Sequence, residues 1–98
     1  MQEVLLEPSE RKDKKWRVIF EDGKSVNFGA KGYSDYTQNK DPKRKESYLK
    51  RHKKREDWTK GGMDTAGFWS RWLLWEEPTL EKAIQTIKRK FKIKIIKG

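Results

Sequence analysis

The chain has 98 residues, 41% of them charged and 33% hydrophobic, with a net charge of +10 and no cysteine. That length fits one domain with a thin core, and the missing thiols exclude a disulfide framework and a thiolate metal site. No apolar run approaches the roughly 18 residues of a membrane span, and Met1 opens onto no signal-peptide pattern, so the expectation is a soluble protein that stays inside a cell or is packaged there, and is not secreted.

Glu3-Val4-Leu5-Leu6 is a short apolar run stopped by Pro8, a weak strand candidate, and residues 9–15 are polar. From Trp16 the pattern sharpens: Trp16, Val18 and Phe20 alternate with polar or outward residues, Asp22-Gly23 follows, and Val26 and Phe28 resume the alternation. This is a β-hairpin. A two-residue loop would mix its faces, whereas a three-residue loop with Gly23 in the left-handed conformation pairs Val18 with Val26 and Trp16 with Phe28. Gly29-Ala30-Lys31-Gly32 ends the strand. Two glycines so spaced can cradle a phosphate in some RNA-binding folds, but a strand-exit turn needing positive φ is the preferred reading. Residues 33–39 read as loop.

Asp41-Pro42 predicts a helix start, and the helix should run to about Arg55. Its narrow stripe of Tyr48 and Leu49 is surrounded by cations. Trp58 should fold back onto the core. Residues 65–75 carry Phe68, Trp69, Trp72, Leu73, Leu74 and Trp75, which on a helix would put Phe68, Trp72 and Trp75 on one face with Trp69 and Leu73 beside them. This segment is the expected anchor of the core, since each large aromatic can remove roughly 150–250 Å² from water. Asp64 or Thr65 would cap it, and Pro78 follows its end. Thr79 caps a last helix in which Leu80, Ala83, Ile84, Ile87 and Phe91 keep the amphipathic spacing. Beyond it, Ile93 and Ile95 alternate with lysines, a strand that could join the hairpin with its lysines protecting an edge.

The expected fold is therefore α+β: one small domain over residues 1–98, a β-hairpin followed by three helical segments and a carboxy-terminal strand. Residues 1–14 and 92–98 are expected to be flexible or to depend on a partner.

The positive charge is concentrated in two blocks. Residues 1–39 hold seven acidic and seven basic groups, 40–60 hold ten basic against four acidic, 61–87 two basic against four acidic, and 88–98 six basic and no acid. Such a pattern favours a polyanionic partner, either DNA or an acidic protein surface. The candidate contacts are Lys43, Arg44, Lys50, Arg51, Lys53, Lys54 and Arg55 in the first block, and Lys88, Arg89, Lys90, Lys92 and Lys94 in the second.

Catalysis has little to work with. His52 is the single histidine and sits among lysines, and no Walker loop, nucleophile elbow or dinucleotide fingerprint is present. Asp35, Asp41, Glu56, Asp57 and Asp64 could supply a magnesium site, but nothing in their spacing selects two of them. The chain is expected to be no enzyme, with no cofactor, no metal and no small-molecule substrate.

Three blocks, FGAKGYSDYT at 28–37, KDPKRKESYLKRHKKREDW at 40–58 and TAGFWSRWLLWEEPTLEKAI at 65–84, resemble a family of small basic proteins of the large nucleo-cytoplasmic DNA viruses of algae and amoebae. The resemblance implies a setting, a virion or an intracellular viral factory, and carries no catalytic residue. In that setting the first expectation is a minor capsid protein binding acidic capsid proteins inside the shell. The alternative is a nucleic-acid-binding protein that neutralises or organises viral DNA.

Overall fold

The alternation of Trp16, Val18 and Phe20 produces a strand because each second side chain can then be buried on one face. In the computed structural model, which describes residues 2–98, the strands are β1 (Gln2–Pro8), β2 (Lys14–Ile19), β3 (Ser25–Ala30) and β4 (Ile93–Lys97). They form one sheet in the order β3-β2-β1-β4. The hairpin has the register expected of a three-residue loop. Val18 faces Val26 and Trp16 faces Phe28, Phe20 N–H donates to Lys24 O at 2.8 Å, and Gly23 has φ +89°.

The weak strand candidate Glu3–Leu6 lies within Gln2–Pro8, whose place in the sheet was not foreseen: it is an inner strand, antiparallel to β2 and parallel to β4. Its reason is long-range: Val4 and Leu6 are fully buried, but three apolar residues before a proline carry no local signal of that pairing. The expected carboxy-terminal strand is present, but it pairs with β1 rather than with the hairpin, since β1 lies between them.

The helical layer covers one face of the sheet. Val4, Leu6, Val18, Phe28 and Ile93 meet Phe68, Trp69, Trp72, Leu73, Leu74, Ala83, Ile87 and Phe91 in a single core. The other face stays open, with Leu5 between Ile19 and Ile96 and an ion pair between Glu7 and Arg17.

The helices are α1 (Tyr36–Asn39), α2 (Pro42–His52), α3 (Ala66–Trp69) and α4 (Leu80–Phe91), with a short 3₁₀ turn at Lys60–Gly62. Residues 33–39, expected to be loop, thus contain one helical turn, for which Asp35 accepts a hydrogen bond from Thr37 N–H. α2 ends at His52, three residues before the expected Arg55.

Thr65 caps α3 as expected, but α3 passes after one turn into a π turn at Ser70–Leu74. The wider π spacing rotates successive side chains differently from an α-helix, and Trp72, Leu73 and Leu74 are all buried in succession. Phe91 meets the edges of Phe68 and Trp72, each at 5.1 Å. Buried indoles need partners for their N–H groups: Trp69 donates to Met63 O at 2.7 Å and Trp72 to Trp58 O at 2.9 Å. Trp58 is packed against the core, as expected. α4 buries Ala83, Ile87 and Phe91, and Lys92, at φ +58°, turns the chain into β4.

Trp72→Ala should lower stability by about 3–5 kcal/mol in denaturant unfolding, a large share of the total for so small a domain. Gly29→Ala should also destabilise, by about 1 kcal/mol or more, because Gly29 has φ +79° and a Cβ there would lie 2.8 Å from Leu74 Cδ1. A midpoint unchanged from the parent's in either variant would contradict the packing described.

Candidate functional site

Asp41 accepts a hydrogen bond from Lys43 N–H at 3.0 Å and Pro42 occupies the first turn, so α2 begins where its sequence places it. Its roll is fixed by Tyr48, the buried residue of the helix. Tyr48 stacks on Trp75 at 4.3 Å with planes 6° apart, and on His52 at 4.1 Å. Burial, aided by the Glu56 carboxylate, pushes the Tyr48 phenol far above its ordinary value, so it stays neutral. It is a stacking surface and not a carrier of protons.

With Tyr48 inward, Arg44 and Arg51, seven residues apart, turn toward the hairpin. There they line a cleft of about 630 Å³, closed on its other sides by the end of the hairpin away from its loop, by residues 33–35 and by the start of α3. Its polar walls include Lys14 from β2, Tyr33 and Ser34 from the connection, Ser47 from α2 and Ser70 from the π turn. Neither Arg44 nor Lys14 has an ion-pair partner among the described residues. Arg51 uses only its Nε, in a 3.4 Å contact to Ser47 O.

The acids in this cleft are already occupied. Asp35, 3% exposed, holds Lys15 Nζ at 2.7 Å, and the lysine also donates to Gln38 at 3.0 Å. That pair ties α1 to β2 and builds a wall. Glu56 meets His52 Nδ1 at 2.8 Å through one oxygen and accepts Trp58 Nε1–H at 2.9 Å through the other. A Cβ at position 67 would lie 2.7 Å from Glu56 Cδ, so Gly67 is what lets this carboxylate approach α3.

The first basic block is therefore divided. Arg44, Arg51, Lys43 and Lys50 are all exposed, but the two arginines line the cleft and the two lysines do not, Lys50 lying beside Glu46 at 3.6 Å. Lys53, Lys54 and Arg55 are exposed in the turn after α2. The second block does not join it, and none of its residues lines the cleft. Lys88, Arg89 and Lys90 occupy the last turn of α4, where cations complement the carbonyl end of a helix. Lys90 Nζ also lies 5.3 Å from the centre of the Trp72 ring. Lys92 caps the helix, and Lys94 reaches Glu3 at 4.0 Å on β4, the edge of the sheet opposite β3.

Sequence reasoning did not single out Lys14, Tyr33, Ser34, Ser47 or Ser70. Lys14 lies in the charge-balanced third of the chain and gives no signal of its own. Tyr33 was visible only as a tyrosine in a polar stretch, yet it is 74% exposed. The carboxylates considered for magnesium do not converge: among the described residues, no three His, Asp or Glu side chains form a potential metal-ligand group. Nor, among those residues, is any helix long and apolar enough to cross a membrane.

No curated protein and no solved structure matches the chain. A family of unknown function (DUF5754) matches residues 4–52, a span of 49 of the 98 residues. That span runs from β1 through α2 and contains both cleft arginines. The chain belongs to this family of unknown function.

Proposed function

We propose that this protein is a non-enzymatic nucleic-acid binder that neutralises or organises DNA in the particle or intracellular factory of a large DNA virus. The observation that carries this reading is the cleft, in which Arg44, Arg51 and Lys14 face one concavity without acidic partners. Arginine presents a planar fork of donors that matches phosphate oxygens two at a time. Serine hydroxyls beside it can donate to the same oxygens. The viral setting is supported by the resemblance of the blocks at 28–37, 40–58 and 65–84.

A second reading, a minor capsid protein lying against acidic shell proteins, is favoured by the separate placement of Lys88, Arg89 and Lys92 at the other edge of the sheet. Their exposed side chains suit a broad acidic surface better than a single phosphate chain.

Fluorescence anisotropy with labelled DNA at increasing salt tests the first reading. Affinity should fall with a log–log slope of about −0.7 to −0.9 per neutralised phosphate; a flat response, or no binding at low salt, would remove it. For the second, the protein should remain with shells emptied of DNA, and release together with the genome would count against it.

A further inference from the structure

We infer that the cleft and the hollow beside it form one track for a single strand of nucleic acid, with Tyr33 as the platform on which a base stacks. This rests on the nucleic-acid reading above and adds which form of the polymer is bound.

Two hollows meet at the connection after β3. The cleft of about 630 Å³ holds Arg44 and Arg51, and its neighbour of about 790 Å³ is walled by Trp16, Lys31 and Gln38. Lys15, Tyr33 and Ser34 belong to both. Tyr33 therefore stands between them. It is the most exposed large hydrophobic side chain among the described residues, while Trp16 beyond it is half-buried. Trp16 is packed against the core, so the free ring is Tyr33, on which a base can stack whatever its sequence, because every base has a π-face.

The cations follow the same path. Arg44 and Arg51 are two helical turns apart, roughly 10 Å along the axis, which suits separate phosphates rather than one. Lys14 faces them across the cleft, and the Lys31 side chain, without an ion-pair partner among the described residues, lines the second hollow.

Base accessibility decides between strand and duplex. The bases of a duplex are already paired and stacked, so a duplex would lie across the rims of the hollows and leave Tyr33 without a base to stack on. A single strand can enter and lay an unpaired base on Tyr33.

The test is anisotropy with a labelled oligothymidylate of roughly ten nucleotides and a duplex of equal length, using the full chain. The strand should bind more tightly than the duplex. Tyr33→Ala should weaken strand binding about fivefold or more, and the pair Arg44→Ala and Arg51→Ala about tenfold or more. These side chains lie outside the core, and circular dichroism should report an intact fold in each. The triple variant Lys88→Ala, Arg89→Ala and Lys92→Ala should bind the strand within about twofold of the parent, apart from general charge loss. Tighter binding of the duplex, or strand binding unchanged by Tyr33→Ala and by the arginine pair, would overturn the track while leaving the nucleic-acid reading in place. Binding of neither polymer at low salt would overturn both.

Discussion

Everything in this fold depends on pressing one aromatic segment, residues 65–75, against one face of a four-stranded sheet. Phe68 and Trp69 are fully buried there with Leu73, over Val4, Leu6, Val18 and Phe28. At about 25 cal/mol per Å² of apolar surface, few other groups in a chain with 41% charged residues could supply comparable stabilisation. The π turn at Ser70–Leu74 is the backbone's answer to that demand. It turns Trp72, Leu73 and Leu74 inward together and leaves Trp75 at the boundary, where it meets Tyr48.

The same segment positions the cleft. The stack of Trp75, Tyr48 and His52 carries the rigidity of the core outward into α2, a helix with little apolar surface of its own. On the far wall, the close approach of Leu74 to Gly29 joins the hairpin to the π turn, and the Lys15–Asp35 pair holds α1 in place. The walls are thus fixed by buried or half-buried contacts, and the cations that project from them are free to meet a ligand. Arg71 shows the contrasting use of a cation in this molecule. It lies 5.0 Å from the Trp58 ring centre and 4.2 Å from that of Trp72, bonded to Glu76 at 2.7 Å, and serves packing instead.

Much of this was legible in the amino-acid order, where the signal is local. The hairpin register follows from the parity of Val18, Val26, Trp16 and Phe28, and the caps of α2 and α4 from Asp41-Pro42 and Thr79. The π turn was not legible, because a run such as Trp72-Leu73-Leu74 looks alike at either helical period until the surface it packs on is known. The inner position of β1 was hidden for a related reason: its partners lie 8 to 14 residues away on one side and some ninety on the other. The site was half legible. Arginines in a basic helix are easily noted, but which of them share a concavity depends on the roll that Tyr48 imposes. Lys14 and Tyr33 reach that concavity only through tertiary structure.

The parallel pairing of β1 with β4 joins Gln2 to Ile93 and Leu6 to Lys97. During synthesis, therefore, the first strand leaves the ribosome long before its neighbour exists. Until Ile93–Lys97 has cleared the exit tunnel, one side of β1 presents unpaired backbone groups of the kind that recruit foreign strands. Contacts so distant along the chain also form slowly. The sheet is completed only once Ile93–Lys97 has been made, some ninety residues after the strand it pairs with.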